Sequence, residues 1–218
     1  MLECKEYTKQ ELLEILDSTS RQSLERKLFR YGIEFEGRGY ANDRIYKITQ
    51  IQFPFKLFCI LDLDVGAQTD FIKLRNFYYY YFNDNEFMAM PNEVKERRMR
   101  EQGRPLTRQT IATYTRYLEN KDLIYRNTEE FIYYFAYKDK QIITEKDVYN
   151  KAWHEYWMHL DAGLYPIEAI NRMRADYGGV ARKQAVPTLN AFYLEKIEYL
   201  ISLVMESINE DLVRQLTE

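Results

Sequence analysis

The stretch from Thr107 to Leu118, TRQTIATYTRYL, sets two guanidiniums, an amide and a hydroxyl at spacings that share one side of a helix. Arg108, Gln109, Thr113 and Arg116 surround Ala112 on that side, opposite Ile111, Tyr114 and Leu118. Such a face donates hydrogen bonds and positive charge, and it carries no carboxylate. Solvated helix faces ordinarily mix Lys with Glu, because both signs help solubility and pair along the helix. Arg, Gln and Thr around a small residue suit close approach to another surface. The chemistry is recognition rather than bond making.

Residue sets that make or break bonds do not assemble on paper. His154 and His159 lie five positions apart, about 140° around a helix, so they do not share one metal readily. Asp62, Asp64 and Asp70 lack the spacing of a calcium loop. Gly37-Arg38-Gly39 is missing the second half of either phosphate-binding glycine fingerprint. Cys4 and Cys59 are the two cysteines, too few for a disulfide framework or a cysteine zinc site. No nucleophile stands at a spacing that pairs it with a base. Neither catalysis, a metal nor a cofactor is expected.

The net charge of −3 excludes a protein that coats nucleic acid through bulk electrostatics, while leaving room for a local basic patch. Twenty Tyr and 12 Phe against 8 Gly and 5 Pro predict a mainly helical chain with an aromatic core. No apolar run reaches the roughly 18 residues that span a membrane, and MLECKEYTKQELLEIL contains no leader-like apolar region. A cytoplasmic location with no membrane contact is the expectation.

The elements that would position these residues can be read along the chain. Thr8-Lys9-Gln10-Glu11 is a capping box, followed by Leu12, Ile15 and Leu16 on one stripe. Asp17 to Ser20 break that helix and cap a second, from about Arg21 to Tyr31, with Leu24, Leu28 and Tyr31 inward and Gly32 at its end. Two alternating runs around Gly37-Arg38-Gly39 predict a β-hairpin. Helices follow over FKLFCILDL and TDFIKLRNFYYYYF, where Asn76 to Phe82 reads as core rather than a base-stacking surface. NEVKERRMREQ is a polar, basic helix ended by Gly103, and the opening stretch comes next. DLIYR and FIYYFAY then flank Asn127 to Glu130 as a second hairpin. Residues 144–160 form an aromatic helix with Tyr149, Trp153, Tyr156, Trp157 and Leu160 on its apolar side. Pro166 starts a shorter helix ending at Gly178-Gly179, and one long helix is expected from Leu189 to about Leu216.

Helix, turn, helix and hairpin thus occur twice in this reading. Ser20-Arg21-Gln22-Ser23-Leu24 and Thr107-Arg108-Gln109-Thr110-Ile111 share the order hydroxyl, Arg, Gln, hydroxyl, aliphatic. On these residues, and on PLTRQTIATYTRYLENKDLIY in particular, the chain resembles winged helix-turn-helix DNA-binding proteins of phages, plasmids and other mobile elements. The resemblance covers roughly 8–51 and 91–138, less than half of the chain. It implies a mainly α fold with small β-hairpin wings, as tandem winged helix-turn-helix units plus a long C-terminal helix. The corresponding division is 1–52 as an N-terminal winged helix and 53–90 as an aromatic connector. Residues 91–160 would be a second winged unit and 161–218 a C-terminal helical region.

What the resemblance implies for a site falls on matching positions. A recognition helix enters the major groove with its N-terminal residues toward base edges. Those would be Arg21, Gln22 and Arg26 in the first unit, and Arg108, Gln109, Thr113 and Arg116 in the second. Arg can engage guanine O6 and N7 together, Gln can pair with adenine, and Ala112 can meet a thymine methyl. Arg38 corresponds to a wing residue, and Lys95, Arg97, Arg98, Arg100 and Arg104 would neutralise phosphates. Glu25 on the first recognition helix and Glu129 and Glu130 at the second wing tip depart from this pattern.

The implied function is sequence-specific binding of double-stranded DNA as a transcriptional regulator of a mobile element. A replication initiator, or a protein-binding antagonist of a host factor or defence system, are the alternatives. The last helix carries an apolar stripe from Leu189 through Phe192, Ile197, Leu200, Ile201, Val204, Ile208 and Leu212, with Glu195, Glu198, Glu206, Glu210 and Asp211 elsewhere. It suits a homodimer seam or packing on its own domain equally.

Overall fold

The structure is a computed structural model that describes residues 2–40, 43–138 and 140–217, with side chains up to residue 210. At 56% helix and 22% strand, with two three-stranded antiparallel sheets, the chain is mixed α and β rather than mainly α. It divides into two compact units, residues 1–79 with 195–218, and residues 80–194.

In the first unit, β1 (Glu6–Thr8) leads into α1 (Lys9–Ile15) through the predicted capping box. The Thr8 hydroxyl accepts from the Glu11 amide at 3.2 Å, and the Glu11 carboxylate accepts from the Thr8 amide at 2.7 Å. This satisfies two amides that a helix start otherwise leaves open. A turn over 16–20 joins α2 (Arg21–Arg30), whose cap, the Ser20 hydroxyl, accepts from the Ser23 amide at 3.2 Å. Gly32, at φ +70°, turns the chain in the left-handed region and starts the hairpin of β2 (Ile33–Arg38) and β3 (Ile45–Ile51). The sheet order is β1-β3-β2, with Tyr7 opposite Tyr46 and Gly37 opposite Tyr46 on the other edge. Leu12, Leu16, Leu24, Leu28, Tyr46 and Ile48 are buried together between helices and sheet. Ile15, expected inward, is 37% exposed, while Leu12 and Leu16 are buried in this core and Leu13 packs against it.

The same unit holds α3 (Pro54–Asp62) and the start of α4 (Phe71–Asn83). It closes with α10 (Leu194–Thr217). The last helix starts five residues later than expected, since Leu189 ends a strand. Phe192 is exposed in a 3-10 turn over Ala191–Tyr193, so neither residue joins the apolar stripe. Ile197, Leu200 and Val204 are buried, and Lys196 pairs with Asp62 at 3.0 Å. The Arg75 guanidinium donates to the Ser207 carbonyl at 3.0 Å. These contacts tie α10 to α3 and α4 of its own unit. The side chains of Asp211 and Leu212 lie outside the described ones.

The second unit begins with the rest of α4, then α5 (Asn85–Ala89), α6 (Asn92–Glu101) and α7 (Arg108–Glu119). As expected, the aromatic run is largely core: Phe77 and Tyr78 in the first unit and Tyr81 in the second are fully buried. The expected hairpin turn at Asn127 to Glu130 does not exist. β4 (Ile124–Tyr137) continues past it, and the chain turns back after Tyr137 into β5 (Lys140–Thr144). After α8 (Lys146–Asp161) and α9 (Pro166–Tyr177), β6 (Val180–Leu189) pairs along the other edge of β4, for the order β5-β4-β6. Asn127 pairs with Val186 and Phe131 with Ala185, so Thr128, Glu129 and Glu130 are a bulge. Their polar character marks an extrusion from a strand, not a wing tip.

α8 is where it was expected, but Trp157 is 59% exposed, while Tyr149, Trp153 and Tyr156 pack on Phe135, Ala152, Met173 and Ala181. Gly179 permits the close β4–β6 approach: a Cβ there would stand 2.7 Å from the Ala136 nitrogen. No described helix is long and apolar enough to cross a membrane.

Candidate nucleic-acid interface

The two helices singled out from the sequence form, but their surroundings differ. On α2, Gln22, Arg26 and Arg30 follow one another at four-residue steps and are all exposed. Neither arginine forms an ion pair among the described residues. With Ser20, Ser23 and Lys27 they line an open hollow of about 310 Å³.

The helix carrying this face is held from behind. The Lys27 ammonium donates to the carbonyls of Leu16 and Asp17, each at 2.6 Å, where α1 ends. Last-turn carbonyls have no partner within their own helix, and a lysine placed there also opposes the negative end of the helix dipole. Asp17, at φ +44°, makes the sharp turn that brings those carbonyls toward α2. Lys27 is thus a brace between the two helices.

Glu25 is likewise engaged within its own unit. Its carboxylate accepts from Arg21 at 2.9 Å and from the Tyr46 hydroxyl at 3.1 Å, with the Arg44 guanidinium 3.7 Å away. Partial burial raises its pKa, but the hydrogen bonds and nearby cations outweigh this and hold it below the usual carboxylate range. The expected base-reading role of Arg21 is weakened by this pairing, which anchors α2 to β3. Arg38 closes β2 rather than crowning the hairpin, and its guanidinium pairs with Glu6 of β1. That pair is exposed and exchangeable with solvent ions.

On α7 the predicted face is present but partly neutralised. Arg108 pairs with Glu96 at 2.9 Å and lies 3.5 Å from Glu93, both from α6. Carboxylates of the neighbouring helix thus meet this face, and Glu119 at the end of α7 itself pairs with Arg126 at 2.9 Å. Gln109 and Arg116 are exposed, while the Thr113 hydroxyl donates back to the Gln109 carbonyl at 2.9 Å.

The basic helix α6 contributes less than its composition suggests. Arg97 is exposed, Arg98 pairs with Asp84 at 2.8 Å, and Arg100 lies 3.5 Å from Glu96. Arg104, beyond its end, is exposed with its guanidinium over the Tyr80 ring at 5.8 Å.

Lys95 cannot neutralise a phosphate. It is 1% exposed, and its ammonium stands 4.9 Å from the Tyr81 ring centre and 5.9 Å from that of Phe87. Helical period explains the inversion, because Lys95 and Met99 share the face that α6 buries. Burial lowers the amine to about 7, the charge of Arg126 acts in the same direction, and Glu119 opposes both.

Sequence reasoning missed Arg30 and the bracing role of Lys27. The spacing of Gln22, Arg26 and Arg30 carried the first signal. The second depends on where α1 ends in space, which spacing does not encode. No group of three or more metal-binding side chains occurs among the described residues.

No known protein family matches this chain, and neither does any curated protein or solved structure.

Proposed function

We propose that this chain binds double-stranded DNA in a sequence-dependent way, with α2 as the helix that enters the major groove. The single observation that carries this is the exposed Gln22, Arg26 and Arg30 series on a helix braced to its neighbour by Lys27. The order β1, α1, α2, β2, β3 with sheet order β1-β3-β2 supports a winged-helix reading of the first unit. β1 is the strand that the sequence reading lacked.

Arg26 and Arg30 supply paired donors of the kind that engage guanine or phosphate, and Gln22 offers both donor and acceptor to adenine. Ser20 and Ser23, at the start of α2, suit backbone phosphates near the positive end of its dipole. The second helix-turn-helix segment has a secondary role in this account, because Glu93 and Glu96 oppose a phosphate at Arg108.

Selection from a randomised duplex pool tests the proposal. Wild type is expected to enrich a short motif, and Gln22→Ala to relax one position of it. Equal recovery of all sequences by both proteins would remove sequence reading by α2.

Docking onto another protein is the second reading, favoured by the 86% and 92% exposure of Phe29 and Tyr40 in the first unit. Large apolar side chains this exposed are used more readily against protein than against phosphate. Loss of a protein interaction in Phe29→Ser, with no DNA binding by wild type, is the outcome that selects it.

A further inference from the structure

We propose that the second unit contains a binding site for a small phosphate ester bearing a free hydroxyl, of mononucleotide size. The site is the cleft where β4 ends, β5 and β6 begin and α9 finishes. Its volume is about 390 Å³, within the roughly 300–1,000 Å³ typical of small-molecule sites.

Three cations line the cleft: Lys138, Arg174 and Arg182. None of them forms an ion pair among the described residues. The lining carboxylate, Glu93, is already engaged, accepting from the Gln141 amide at 2.9 Å and lying 3.5 Å from Arg108. Like charges gathered around one hollow repel unless an anion sits among them. In a chain of net charge −3, such a concentration is not a consequence of bulk composition. Two of the cations are held in place by one ring: the Lys138 ammonium lies 5.3 Å, and the Arg174 guanidinium 5.5 Å, from the centre of Tyr137.

Unsatisfied polar atoms narrow the ligand. Arg174 Nε and Gln141 Oε1 are both buried without a hydrogen-bond partner. Arg174 Nη1 already donates to Asn171 Oδ1 at 3.0 Å, and Gln141 Nε2 to Glu93. A donor and an acceptor therefore remain unanswered on two of the side chains that line the cleft. Buried polar groups are rarely left so, because each costs its full desolvation. An anionic oxygen answers the guanidinium, and a hydroxyl answers the amide carbonyl. Inorganic phosphate meets the first requirement but leaves much of the cleft empty. A sugar phosphate or mononucleotide meets both.

This site uses residues of the second unit and none of α2, so it is testable in the absence of duplex DNA. Titration calorimetry on the full chain would use inorganic phosphate, ribose 5-phosphate, AMP and a 5′-phosphorylated single-stranded oligonucleotide as probes. Ribose 5-phosphate or AMP is expected to bind saturably, more tightly than inorganic phosphate. Arg182→Glu, an exposed strand position, should weaken binding about tenfold or more, as expected for loss of a charge-assisted contact. Gln141→Leu should weaken the esters more than inorganic phosphate, with circular dichroism confirming that both variants fold. Absence of binding by the esters, or binding untouched by Arg182→Glu, overturns the proposal. Binding of the oligonucleotide without ribose 5-phosphate or AMP also overturns it, and assigns the cations to a nucleic-acid end.

Discussion

Replacing Lys95 with Met should stabilise this protein, and the gain should depend on pH. The amine is buried between the Tyr81 and Phe87 rings and titrates near 7 rather than 10.5. Lowering the amine from 10.5 to about 7 corresponds to about 4–5 kcal/mol. Ring faces favour the charged form by roughly 1–2 kcal/mol, which leaves a penalty of about 3 kcal/mol. Between pH 7 and 10.5 the unfolded chain binds a proton that the folded chain lacks. Stability contributed at this site therefore rises with pH through that window, and the penalty is complete below it. Met keeps most of the apolar stem and places a thioether against the rings. Urea denaturation of both proteins from about pH 6 to about pH 10 reads the difference. The variant should be more stable by about 3 kcal/mol at the acid end, with its advantage shrinking toward the alkaline end. A variant less stable than wild type at every pH, by a constant amount, would refute the reasoning.

The other contacts make further predictions. Lys27→Met removes both donors to the Leu16 and Asp17 carbonyls and should cost about 1–3 kcal/mol, read as a fall in thermal midpoint. Gly179→Ala drives a Cβ into the Ala136 backbone and should cost about 1–3 kcal/mol or more, with the protein in the soluble fraction falling accordingly. Arg108→Ala should change duplex affinity by less than Arg26→Ala, because Glu93 and Glu96 already occupy its guanidinium. A larger loss from Arg108→Ala in a fluorescence anisotropy titration would move the interface to α7.

Short-range patterns in the sequence carried over to the structure. The Thr8/Glu11 capping box, the Leu24 and Leu28 stripe and the Gly32 terminus depend on residues within one or two turns of each other, and all form. Sheet partners were less legible. β1 is three residues long, and β6 contains Arg182, Lys183, Gln184 and Pro187, so neither has a clean alternation. Their pairing is decided by β3 and β4, distant in sequence. The second hairpin was misplaced because Asn127-Thr128-Glu129-Glu130 has turn chemistry, which a bulge also accommodates. Charge was misleading in α6 for a related reason. Composition counted its basic residues, but the helix phase buries Lys95, and carboxylates of α5 and α6 pair with Arg98 and Arg100.

The measurement that bears most directly on DNA binding by α2 is duplex affinity as a function of salt, for wild type, Arg26→Ala/Arg30→Ala and Arg97→Ala/Arg116→Ala. Fluorescence anisotropy with the duplex enriched by wild type supplies the readout. If Arg26 and Arg30 contact the duplex, the first variant loses at least about tenfold in affinity, as for a lost bidentate base contact. Any phosphate contact among them also lowers the salt slope by about 0.9. The second variant, with two arginines changed in the other unit, should lie close to wild type. Unchanged affinity and slope in Arg26→Ala/Arg30→Ala, whatever the second variant does, would contradict the assignment of α2 as the DNA-reading helix.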